Sequence, residues 1–75
     1  MRTMSMSERE LELIGAIHQL HAIIVGTLEN ELSLDVPTSG TVDSVKESMI
    51  LMDNLGLQQK FDDEMDLIEQ AEEFF

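Results

Sequence analysis

Apolar positions recur at helical spacing through most of the chain. Leu13, Ile14, Ile17, Leu20, Ile24, Val25, Leu28 and Leu32 fall, at 100° per residue, within one arc about 140° wide. This predicts a first helix over about 8–32. Ser7 with Glu10 three residues later forms a capping box, and Met6 with Leu11 forms the hydrophobic staple that accompanies it. Glu8, Glu10 and Glu12 suit the positive end of the helix dipole. Residues 1–7 read as a flexible leader, and 8–75 as a single helical domain.

The stretch from Ser33 to Thr41 interrupts the pattern. It holds the single Pro and a Gly among Asp, Ser and Thr, which predicts a loop over 33–41. Leu34 and Val36 alternate within it and are expected to fold back onto the core. Thr41 is the expected N-cap of a second helix over about 42–55, with Asp43 in its first turn. Val42, Val45, Met49 and Met52 form its inner stripe, widened by Ile50 and Leu55. Gly56 is placed to end that helix in a Schellman turn, with Leu57 reaching back to Met52. A third helix follows over about 57–74. Its inner stripe is Leu57, Phe61, Met65, Ile68 and Phe75, flanked by Leu67, Ala71 and Phe74.

The fold class is therefore all-α, a three-helix protomer with no strand. Size adds a second subunit to the picture. A domain of 75 residues buries only about 60% of its unfolded surface, and without Cys no disulfide can compensate. A first helix of about 37 Å is longer than such a globule needs, and its arc is wide enough for two neighbours. We expect a homodimeric helical bundle whose seam runs along Leu13, Ile17, Leu20, His21, Ile24 and Leu28. Gly15, Ala22 and Gly26 line a separate stripe of small residues that could admit a close helix approach.

The net charge of −12 excludes direct contact with nucleic acid or anionic lipid, because both need Lys and Arg. Apolar content of 43% is too high for a disordered acidic tail. No unbroken apolar run is longer than that of Ala22-Ile23-Ile24-Val25, so no membrane span is expected. Nor does the leader resemble a signal peptide. These features place the chain in the cytoplasm.

Residues 58–75 carry seven of the sixteen acidic side chains and one of the four basic ones. Asp62, Asp66, Glu69 and Glu73 share one helix face, widened by Asp63, Glu64 and Glu72. A straight helix presents them on a convex surface that cannot encircle a cation. Phe74 and Phe75 end the segment, and exposed aromatics are frequent interface anchors. Asp62, Asp63, Asp66, Glu69, Glu73, Phe74 and Phe75 are the candidate partner-binding residues. Met49, Met52 and Met65 fill the core or line an adaptable groove.

His18 and His21 lie three apart, a spacing that can aim two imidazoles at one metal. No third ligand is at hand, and His21 falls in the apolar arc, which favours a core histidine bonded to a carbonyl or carboxylate. No Ser has an identifiable His and acidic partner, and no phosphate-binding loop occurs. No catalytic, metal or cofactor residue is expected. The chain reads as a small protein-binding regulator or adaptor of inhibitor type. One alternative is a nucleic-acid mimic of the kind small phage inhibitors use, with helix 3 carboxylates in a basic groove. Another is a structural or chaperone-like subunit.

Overall fold

The computed structural model describes residues 7–57 and 59–75. It contains three helices and, among the described residues, no strand. Helix α1 spans Glu8–Ser33, α2 spans Ser39–Asn54 and α3 spans Asp62–Glu72. The radius of gyration is 14.8 Å, against about 11 Å for a compact chain of this length. The molecule is accordingly elongated, 55 × 16 × 16 Å.

The Ser7 side-chain cap of α1 forms as expected. Glu10 donates its backbone N–H to Ser7 Oγ at 3.2 Å, and the Ser7 hydroxyl donates to the Glu10 carboxylate at 3.1 Å. The leader before Ser7 and the staple through Met6 lie outside the described residues.

At its other end α1 closes in a Schellman turn, which the sequence pattern does not announce. Val36 N–H donates to the Glu31 carbonyl and Asp35 N–H to the Leu32 carbonyl. Asp35 takes the left-handed position at φ 57°, where Gly is usual. The turn carries the chain away from the bundle, so Leu34 and Val36 are exposed, at 63% and 59%. They do not tuck against the core as expected.

Helix α2 starts three residues earlier than predicted. Its N-cap is Thr38, whose hydroxyl accepts from Thr41 N–H; Thr41 is the third helical residue, and Asp43 lies beyond the first turn. Glu31 explains the shift. Its carboxylate accepts Thr38 N–H at 2.9 Å and the Thr41 hydroxyl at 2.8 Å. A Glu at the end of α1 thus does for α2 what the third residue of a capping box does locally. The Thr38 N–H, the Thr41 hydroxyl and the Thr38 hydroxyl hold the Glu31 carboxyl below its ordinary range, against a smaller desolvation effect.

The break at Gly56 is as predicted. Gly56 has φ +76°, with Gly56 N–H donating to the Asp53 carbonyl and Leu57 N–H to the Met52 carbonyl. Helix α3 begins at Asp62 rather than near 57: residues 59–61 are outside any helix, and Phe61 is the N-cap. Gln58 lies outside the described residues. No side chain caps α3; Asp62, Asp63 and Glu64 in its first turn offset the dipole instead.

Long α1 packs mainly against α2, with α3 laid along the pair. The core is Leu28, Val42, Val45, Ile68 and Ala71, with Ile24, Val25, Leu32, Met49 and Leu67 partly buried around it. Met52 is fully buried. Three expected inner positions of the later helices are instead exposed: Ile50 at 59%, Leu55 at 49% and Met65 at 60%. Ile50 and Met65 lie outside the three-helix contact, which is narrower than the apolar pattern, and Leu55, the C-cap of α2, borders an open groove beside α1. Lys46 and Glu72 pair at 3.0 Å across α2 and α3 on the surface, a contact worth about 0–1 kcal/mol.

Candidate functional site

One buried polar node joins all three helices. His21 from α1 is 5% exposed. Its Nδ1 is 2.6 Å from Ser48 Oγ on α2, and its Nε2 is 2.7 Å from Glu64 Oε2 on α3. The Phe61 ring stands edge-on to the imidazole at 5.8 Å. Ser48 Oγ is also 2.9 Å from the Val45 carbonyl oxygen of its own helix.

The node has two complete hydrogen-bond arrangements. In both, Nε2–H donates to the Glu64 carboxylate. In one, the Ser48 hydroxyl donates to Nδ1; in the other it turns to the Val45 carbonyl and accepts from Nδ1–H. Among the described residues no buried side-chain polar atom is left without a partner.

Ser48, His21 and Glu64 have the composition of a hydrolytic triad, a set of partners that sequence spacing does not reveal for any Ser. A triad also needs donors aimed at a developing oxyanion. Ser48 lies inside α2, where the backbone N–H groups are committed to the helix ladder. What the geometry does supply is a polar clasp that sets the three helices in register.

The signal for this node was present in the sequence, dispersed over three segments. His21 interrupts the apolar stripe of α1, Ser48 stands between Val45 and Met52, and Glu64 stands between Phe61 and Ile68. Each is a polar residue at an inward position. Their separations of 27 and 43 residues hide the pairing. His18 is exposed, and both ring nitrogens of His21 are engaged, so the two histidines do not converge on one site.

The predicted dimer seam divides in two. His21 and Leu28 are buried inside the protomer, at 5% and 0%, because α2 and α3 cover that side of α1. Ile17 and Ile24 are half-buried, while Leu13 and Leu20 are each 58% exposed. Two open grooves lie along α1 on its α2 side: one is lined by Leu13, Ile14, Ile17 and Leu55 with Glu10, the other by Ile17, Leu20, Ile24 and Leu51 with His21, Ser44, Glu47 and Ser48. Gly15 and Gly26 have open space where a Cβ would stand, so the small-residue stripe makes no close approach within the protomer.

Every expected partner-binding residue is exposed. Asp62, Asp66, Glu69 and Glu73 lie on the side of α3 opposite buried Ile68 and Ala71. Among the described residues none of the four pairs with Lys or Arg. Asp63 and Asp66 also border an open acidic cleft with Glu29 of α1. Phe74 and Phe75 follow, at 51% and 64% exposure; they do not fold onto the bundle, and the expected inner role of Phe75 does not hold.

By length and composition α1 meets the requirement for a membrane span, with a mean hydropathy of 1.4 over its best 18-residue window. The expectation from unbroken apolar runs missed this, because Gly15, His18, Gln19, His21 and Thr27 interrupt the run without adding formal charge. A long core helix passes the same test. Comparison with protein-family models, curated proteins and solved structures found no match to this chain.

Proposed function

We propose that the chain is a small acidic, non-enzymatic protein-binding regulator that works as a homodimer and offers the outer face of α3 to a basic protein. One observation carries this reading. Asp62, Asp66, Glu69 and Glu73 form a continuous exposed face without paired cations among the described residues, and exposed Phe74 and Phe75 lie directly beyond it. Carboxylates of this kind steer a basic partner over several ångströms, and the two rings supply apolar area for a stable contact.

The test is a comparison of two baits in lysate of the source organism. One is the native chain; the other carries Asp62→Lys, Asp66→Lys, Glu69→Lys and Glu73→Lys. The native chain is expected to retain a protein that the reversed variant does not, with equal helix content by circular dichroism. A partner that is released by salt and itself binds nucleic acid identifies the face as a stand-in for phosphates. Equal retention by both baits, or none by either, removes the proposed role of this face.

A further inference from the structure

We infer that two copies of the chain pair antiparallel along one stripe of α1, with Leu20 at the two-fold axis and Arg9 of each copy against Glu31 of the other. This rests on the homodimer reading above and adds the face and the direction.

Leu13, Ala16, Leu20, Ile23 and Thr27 recur at alternating spacings of three and four, the pattern by which one helix seats another at a shallow angle. They share an arc about 80° wide, centred about 120° from His21 around the helix. The stripe therefore points away from the protomer core. Leu13 and Leu20 are each 58% exposed and Ile23 is 64% exposed. Leu51 and Leu55 of α2, at 47% and 49%, flank the stripe as a second apolar wall.

Charge selects the occupant. No Asp, Glu, Lys or Arg occurs from Leu13 to Leu28 in a chain that is 27% charged. Glu10 and Glu47 border the grooves beside it, but the stripe itself carries no charge for a basic partner, whereas a second copy of the same apolar stripe matches it. The ends of the stripe select the direction. Arg9 closes one end; Glu31, whose carboxylate also accepts from Thr38 and Thr41 of its own chain, closes the other, and among the described residues Arg9 makes no ion pair. A parallel pair stacks Arg9 on Arg9 and Glu31 on Glu31. An antiparallel pair centred on Leu20 sets Arg9 beside Glu31 and Leu13 beside Thr27, with Ala16 and Ile23 of the two copies in the layers between.

Area agrees. The accessible surface is 5740 Å², against about 4,700 Å² for a compact monomer of this mass. An ordinary interface takes about 800 Å² from each partner, which is within that surplus.

Because the chain has no Cys, single cysteines report the geometry directly. Light scattering after gel filtration should give a dimer. Under mild oxidation Leu20→Cys should link to itself, and a mixture of Leu13→Cys and Thr27→Cys should yield chiefly the mixed disulfide. Arg9→Gln should weaken the dimer about fivefold, the effect of losing two surface ion pairs. Circular dichroism verifies that each variant folds. A monomer at all concentrations, including one that instead sediments with neutral lipid vesicles, overturns both the homodimer and the pairing. A dimer in which Leu13→Cys links to itself, or in which none of these cysteines react, overturns the pairing alone.

Discussion

His21 Nε2 and Glu64 Oε2 meet at 2.7 Å across 43 positions of sequence, and this contact fastens α3 to α1. Removing one partner leaves the other buried and unsatisfied, so Glu64→Ala should destabilise the fold by about 1.5–3 kcal/mol. Glu64→Gln keeps an acceptor and should lose about half as much. Urea unfolding measures both. A double-mutant cycle with His21→Ala should show a coupling of about 1 kcal/mol or more; a coupling near zero would deny the clasp its role.

The two Schellman turns make opposite predictions. Asp35 occupies a left-handed position at φ 57° and Gly56 one at φ +76°. Asp35→Gly should stabilise the protein by about 0.5–1 kcal/mol, and Gly56→Ala should destabilise it by about 1 kcal/mol. Thermal melts of the two variants should move in opposite directions.

Gly15 and Gly26 lie within α1 with open space beside them. Each change to Ala should add about 0.5–1 kcal/mol of stability from helix propensity. A loss instead, seen in the same melts, would mean that the small-residue stripe is used for a close contact.

Glu31 gives the fold a pH dependence of known sign. Thr38 N–H, helped by the Thr41 and Thr38 hydroxyls, lowers the folded-state pKa of Glu31 from its ordinary 4.5. A lowered carboxyl contributes stability that is present above pH 4.5 and lost as the pH falls through the folded value. The advantage of the native chain over Glu31→Gln should therefore hold near pH 7 and shrink below pH 4.5. Denaturation midpoints at a series of pH values test this; a difference that does not change with pH would contradict it.

Truncation separates the buried face of α1 from the exposed turn that follows it. Leu28 is fully buried, and Leu28→Ala should cost about 2–5 kcal/mol, enough to unfold much of so small a domain. Leu34→Ser, at an exposed position, should change stability by less than about 0.5 kcal/mol. Circular dichroism at fixed temperature distinguishes these outcomes.

The sequence by itself determined what depends on neighbours along the chain. Ser7 caps α1 at the Glu10 N–H, the 3.6-residue period makes α1, and Gly56 ends α2, because each is settled within about two helical turns. The acidic outer face of α3 was legible for the same reason: Asp62, Asp66, Glu69 and Glu73 share it by spacing alone. Tertiary structure decided the rest. The start of α2 moved to Thr38 because Glu31, seven residues earlier, satisfies its N–H, and no local rule anticipates an acceptor from the preceding helix. His21, Ser48 and Glu64 are three isolated polar interruptions until packing brings them together. The apolar arc of α1 is wider than α2 and α3 can cover, so periodicity marked Leu20 and Leu28 as equally apolar. Only the placement of the other two helices buries Leu28 and leaves Leu20 facing outward.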